Sequence, residues 1–234
     1  MTYTAPPTDA ESGVEPKEGR SGFGCLFEVV ETIVLTLVIY LVIHTFVAQP
    51  FEVQQNSMVT TIQPSDYVLI DKLSPRFSDY QRGDIVVFTP PNQDAPDAIP
   101  FIKRIIGLPG DTVTLLNGRV YVTPSGGVQT VLGEPYVVIG PDGRPAATQP
   151  KDAEGTSEWL VPEGEYFVMG DNRPESQDSR VFGSVDRSSL IGRAWLRYFP
   201  VDRFTIFQRP EYDELAAYWR GGSTATIQVS IARS

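Results

Sequence analysis

The sequence predicts a mainly β protein: an antiparallel β core with an inserted smaller β/loop lobe, preceded by one N-terminal transmembrane helix. Three observations carry that prediction. Residues 32–51, TIVLTLVIYLVIHTFVAQPF, run for twenty positions without a formal charge. As a helix rising about 1.5 Å per residue they reach about 30 Å, the hydrocarbon thickness of a bilayer. Beyond Pro50 the pattern changes to short β-branched and aromatic runs (YVLI, DIVVF, FIKRIIG, TVTLL, RVYV, YVVI, EYFVMG, AWLRYF, FTIFQ) broken by Gly, Pro and Asp, as antiparallel strands are. Asn117-Gly118, between TVTLL and RVYV, has the residue types that a type I′ hairpin turn requires.

In chain order, residues 1–24 hold Pro, Gly, Ser, Thr and charge with few aliphatic residues, and read as a disordered cytoplasmic tail. Residues 26–49 read as the span. Its apolar residues lie all round the helix, unlike those of an amphipathic core helix. The length of the stretch and the bulky Phe46 at −3 of a Phe46-Val47-Ala48 site favour an uncleaved anchor over a signal peptide. Pro50 is expected to end the helix. Lys17 and Arg20 precede the span and no Lys or Arg occurs between Val47 and Asp71, so the N-terminus is expected in the cytoplasm and the rest outside it. Residues 50–115 and 164–210 read as the β core. Residues 116–163, with PSGG, GPDGRP and KDAEGTSE, read as the inserted lobe. Residues 211–234 read as a C-terminal extension, with a short helix at EYDELAAYW and a last strand at TIQVSI.

Composition narrows the chemistry. The 234 residues leave room for an enzyme, and a net charge of −10 argues against nucleic-acid binding. One cysteine, Cys25, and one histidine, His44, allow neither an intrachain disulfide nor a Cys/His zinc cluster, and no metal or cofactor is expected. Cys25, at the edge of the span, reads as a small apolar filler. His44 falls inside the span, which removes histidine as a base for the remainder of the chain.

A serine nucleophile would then need another base, and a lysine serves if burial leaves its amine neutral. Lys17 lies in the tail. Lys151 lies in an acidic polar loop and should stay protonated, and Lys72 follows Asp71, a ready ion-pair partner. Lys103 sits in Phe101-Ile102-Lys103-Arg104-Ile105-Ile106, where strand alternation points it to the face of Phe101 and Ile105. On spacing alone, a lysine snorkelling from a wet face is the commoner outcome. Ser57, in Gln54-Gln55-Asn56-Ser57-Met58, comes soon after the span, although a serine in a polar turn is more often a cap. The polar segment Gly170 to Arg180, directly after EYFVM, suits either a solvated loop or a buried hydrogen-bonded brace.

Together these segments resemble the type I signal peptidase family of membrane-anchored endopeptidases. Ser57-Met58-Val59-Thr60-Thr61-Ile62 is similar to the family's Ser-Met-x-Pro-Thr-Leu, and Arg82-Gly83-Asp84-Ile85-Val86-Val87-Phe88 to its Arg-Gly-Asp strand. Lys103-Arg104-Ile105-Ile106-Gly107-Leu108-Pro109-Gly110-Asp111 is similar to its lysine segment, and Gly170 to Arg180 to its Gly-Asp-Asn … Ser-x-Asp-Ser-Arg segment. The resemblance implies Ser57 as nucleophile and Lys103 as general base, with Ser176 hydrogen-bonded to Lys103 and Asp178 paired with Arg180. It implies an oxyanion hole made by the Ser57 amide, with Gln55 where a Ser or Thr usually lends its hydroxyl. Thr60 stands where the family has proline. The implied substrates are preprotein signal peptides with small residues at −1 and −3, received in shallow pockets lined by Phe51, Val53, Met58, Ile62, Phe101 and Ile102. The peptide would add as a strand beside the lysine strand. The implied location is the plasma membrane of a bacterium, crossed once, in contact with the lipid bilayer. The sequence sets no oligomeric state. Two rivals exist: a self-cleaving repressor, opposed by the span and the missing DNA-binding segment, and a degenerate module that binds signal sequences without cutting them, for which Gln55 and Thr60 speak.

Overall fold

The computed structural model describes residues 22–91, 99–151 and 154–212. Most of the tail, most of the 211–219 helix and the 226–231 strand expected above lie outside the described residues. The chain divides between Ile43 and His44. The first unit contains helix α1 (Gly22–Val42), which begins inside the segment expected as tail and continues as a single π-helical turn over Ile43–Val47. The helix is long and apolar enough to cross a membrane over Leu26–Val47. It ends before the residue expected to end it. Strand β1 (Ala48–Glu52) already contains Pro50, because a proline ring clashes with the carbonyl four residues back and pushes the residue before it out of the helical region. As β1 is an edge strand, the missing Pro50 amide is tolerated there.

The second unit is built on an eight-stranded antiparallel sheet. Its strands are β1, β2 (Tyr67–Asp71), β3 (Ile85–Phe88), β4 (Phe101–Gly107), β9 (Glu165–Met169), β10 (Val185–Asp186), β11 (Leu190–Phe199) and β12 (Thr205–Ile206). They follow the order β1-β2-β11-β3-β4-β9-β10, with β12 added on β11. Both faces of the central strands are covered. Ile85 and Val87 of β3 join Val53, Met58, Ile62, Val68, Ile70 and Ile102 on one side. Val86 and Phe88 join Tyr80, Ile105, Tyr166 and Val168 on the other. That is why IVVF reads as a continuous rather than alternating apolar run.

A second sheet, in the order β7-β6-β5-β8, combines β5 (Thr112–Leu116), β6 (Arg119–Thr123), β7 (Thr130–Val131) and β8 (Glu158–Leu160). It begins at Thr112, before the boundary expected at 116, because β5 pairs only within it. Leu116 pairs with Arg119, so Asn117-Gly118 is the whole loop, with φ of 52° and 74°. The YVVI run is not a strand. Tyr136 and Val137 turn inward into the core that the second sheet shares with Ile106, Phe167 and Met169, and only Ile139 keeps a bridge, to Pro145.

Candidate active site

Ser57 lies on the connection between β1 and β2. That loop is closed at its base by Val53 N–H donating to Asp66 O at 2.9 Å and Ser65 N–H to Val53 O at 2.7 Å. One helical turn inside it, Ile62 N–H to Met58 O at 2.8 Å, drives Met58 and Ile62 into the core and leaves Ser57 4% exposed. Thr60 replaces the stiffness of a proline with a long-range tether, its hydroxyl donating to Tyr136 O at 2.9 Å.

Strand β4 supplies Lys103, paired across the sheet with Val86 and 1% exposed. Its Nζ lies 2.8 Å from Ser57 Oγ and 3.0 Å from the carbonyl of Ile102, 4.8 Å from the centroid of the Phe101 ring. Burial of the charged form pushes this amine down from the ordinary 10.5 to about 8, while the carboxylates of Asp178 and Asp171 pull it partly back. A neutral amine carries a lone pair that can accept the serine proton.

The segment after β9 packs against both. Gly170 leaves no space for a side chain: a Cβ there would lie 2.3 Å from Ser176 Oγ and 2.5 Å from Ser57 O. Asp178 accepts from Gly170 N–H at 3.1 Å and from Arg180 through two bonds of 2.8 and 2.7 Å. It also caps helix α2 (Ser179–Phe182). Although burial opposes ionisation, the Arg180 fork and the Gly170 amide hold the Asp178 carboxyl below the usual carboxylate range. Arg104, the neighbour of Lys103, grips Asp171 at 2.9 and 2.7 Å, and Thr61 donates to the same carboxylate at 2.5 Å. The Arg104 guanidinium carbon lies over the Tyr136 ring, 4.0 Å from its centroid. Sequence reading marked this segment as a possible brace but gave no role to Arg104, Thr61 or Asp171, whose pairing across 43 to 110 residues leaves no local signal.

Several expectations need correction. Ser176 does not bond to Lys103: its hydroxyl is buried against Gly170 and turned toward the Asp178 carboxylate, while Lys103 Nζ turns to Ser57 and the Ile102 carbonyl. Val53, Met58, Ile62 and Ile102, expected to line pockets, are at most 1% exposed and pack on one another, with Phe51 against them. Phe101 belongs to the opposite face. Gln55 is partly exposed. Lys72 donates to Gln49 Oε1 at 3.3 Å, while Asp71 pairs with Arg193. Lys151 is less solvated than its acidic loop implied; it reaches the carbonyls of Pro174 and Ser176 at 2.6 and 2.9 Å. No group of three or more His, Cys, Asp or Glu able to hold a metal occurs among the described residues.

A curled β platform that buries a lysine amine against a serine hydroxyl, beside a polar brace, is an arrangement suited to hydrolysis without histidine. The family model described as "Signal peptidase, peptidase S26" matches residues 26–199, and the chain belongs to that family of hydrolases. A "Probable signal peptidase I-2" of Synechocystis sp. is 39% identical over 180 residues, covering 75% of this chain and 74% of its own length. "Signal peptidase I" of Leptolyngbya laminosa is 37% identical, covering 76% of this chain and 82% of that protein. "Signal peptidase I" of Bacillus licheniformis is 32% identical, covering 75% and 89%.

Two predictions follow from the packing. In Gly170→Ala the added methyl must displace the Ser57 loop or Ser176, at a cost of about 1–3 kcal/mol. Thermal melts should show a fall in Tm of about 2–10 °C; an unchanged Tm would mean that the contact yields freely. For Lys103, the folded amine releases its proton at about 8 and the unfolded one at 10.5. The unfolded state therefore binds more protons between those values, and stability rises with pH across that window. At pH 7 the buried ammonium costs about 3 kcal/mol, so Lys103→Met should raise Tm at pH 7, and its advantage over the parent should shrink by pH 10.

Proposed function

We propose that this chain is a membrane-bound serine endopeptidase that removes N-terminal signal peptides from exported preproteins, with Ser57 as nucleophile and Lys103 as general base. The observation that carries the reading is the buried amine 2.8 Å from a serine hydroxyl. A module that only binds signal sequences has no use for an ammonium buried at that cost, and Thr60, which spoke for such a module, is tied to Tyr136.

The neutral Lys103 amine takes the Ser57 proton as Oγ attacks the scissile carbonyl carbon, and the carbonyl π pair becomes an oxyanion. The Ser57 amide, which donates to no group among the described residues, is the donor at hand for that oxyanion. Collapse of the intermediate breaks the C–N bond. The ammonium returns its proton to the leaving amine, which becomes the new N-terminus of the mature protein. Water, deprotonated by the same amine, then attacks the acyl-serine ester, the C–Oγ bond breaks, the ammonium returns its proton to Ser57 Oγ, and the signal peptide leaves with its new carboxylate.

Substrate fits as an added strand. β9 pairs with β4 only from Arg104 onward, so the Phe101 to Lys103 edge facing away from β3 has no ladder partner among the described residues. An extended peptide laid there brings its carbonyl to Ser57. Small side chains at −1 and −3 are part of the reading by family membership. The apolar helix α1 supports a location in the plasma membrane of a bacterium, and Lys17 and Arg20 ahead of it support a cytoplasmic N-terminus.

Cleavage of a preprotein by the full chain in detergent is the test. Its rate should rise with pH around a midpoint near 8 and fall to background in Lys103→Ala. Lys103→Arg should be equally inactive, since guanidinium stays protonated; full cleavage by that variant would overturn the mechanism. Gln55→Ser, which restores a hydroxyl beside the oxyanion, should keep or raise kcat. A loss of kcat in Gln55→Ser would mean that the Gln55 amide itself reaches the oxyanion in the substrate complex.

A further inference from the structure

We propose that Asn172 is a positioning residue that aims the oxyanion donor. The inference rests on Ser57 being the nucleophile and its amide the donor. It starts from the peptide unit that joins Asn56 to Ser57. In a trans peptide the carbonyl and the N–H point in opposite directions from one rigid plane, so whatever holds the Asn56 carbonyl also sets the direction of the Ser57 N–H.

Two donors hold that carbonyl. Val59 N–H reaches it at 3.2 Å from within the loop, and Asn172 Nδ2 reaches it at 3.2 Å from a different part of the fold. The assignment of the amide nitrogen is dictated by its surroundings. Its other contact is Glu175 Oε2 at 3.3 Å, and a carbonyl and a carboxylate can both only accept from it. The next carbonyl, that of Ser57, is held by Asn172 as well, through its backbone N–H at 2.9 Å. One residue therefore fixes the carbonyls on both sides of the Ser57 Cα. Asn172 is 8% exposed and follows Asp171, which the Arg104 fork locks to β4. The direction of the Ser57 amide is thereby referred to the same strand that carries Lys103. The amide itself is left without an acceptor among the described residues, as a donor reserved for developing charge must be.

Asn172 touches neither the reacting atoms nor Lys103, so its removal should act on the transition state through the amide alone. Its side-chain bond can be deleted while its backbone bond stays. In Asn172→Leu, of similar shape but without a donor, kcat for preprotein cleavage should fall about 10- to 100-fold with KM within about twofold. The pH midpoint should stay where it is, since Lys103 keeps its surroundings. Affinity for a peptide aldehyde, which forms a hemiacetal with the serine and presents an oxyanion, should fall by a similar factor. Affinity for the same peptide ending in an alcohol should not. Asn172→Ser provides a second variant of smaller volume and should show the same split.

Unchanged kcat and aldehyde affinity in both variants would overturn the assignment. So would equal losses for the aldehyde and the alcohol, or a displaced pH midpoint, since either would mark general disruption of the site. Failure of the underlying reading looks different. There, the parent and Ser57→Ala would cleave alike or bind the aldehyde alike, whatever Asn172 does.

Discussion

A primary amine held out of water is the constraint on which the rest of this structure depends. Lys103 can lose its proton near neutrality only because β4 is covered on both faces and because its partners offer a hydroxyl and a carbonyl rather than a carboxylate at contact distance. The covering in turn requires the Ser57 loop to insert Met58 and Ile62 beneath the sheet, and the segment after β9 to pass close enough that only glycine fits at 170. Activating the lysine and placing the serine are one packing problem rather than two.

Charge inside the fold is handled by pairing it with geometry. Arg104 with Asp171, Arg180 with Asp178 and Arg173 with Glu134 are all nearly buried. Each arginine also donates to a backbone carbonyl or a hydroxyl. Such pairs contribute little net stability over apolar packing, but breaking one leaves a charge stranded. Their value here is registration. They tie residues 170–180 to β4, to α2 and, through Glu134 and Thr148, to the lobe. Asp171 and Asp178 also set how far the lysine falls, close enough to pull its affinity for protons upward without neutralising the effect of burial. In a chain of net charge −10, keeping carboxylates at that distance and no nearer is itself a selective arrangement.

The strands and the hairpin were legible because their signals are local: β-branched runs, and an Asn-Gly pair whose backbone angles follow from its residues. Lys103 was half legible, since alternation put it beside Phe101 and Ile105 but could not say whether that face was wet. Resemblance rather than periodicity separated it from Lys72 and Lys151. What was not legible was set by tertiary packing. Pro50 was read as a helix terminator, whereas its influence reaches back to Ala48 and it settles in an edge strand. YVVI has strand composition but is drawn inward by the lobe core. The pocket residues are apolar and near the site, as expected, yet they satisfy one another. Asn172 and Thr61 were hidden because their partners lie 116 and 110 residues away.

The placement of β11 has a consequence for how the molecule is made. This strand runs between β2 and β3, and Arg193 meets Asp71 across 122 residues of chain. Neither the serine loop nor the lysine strand has its sheet completed until nearly all of the chain through Phe199 has been synthesised. β3 and β4 can meet early, but β2 must wait for a segment at the far end, and closing so long a loop is the slow step of a high-contact-order fold. A nascent chain thus carries Ser57 and Lys103 from the time β4 is made without the architecture that brings them together. A chain truncated before β11 is left with unpaired sheet edges, a substrate for quality control.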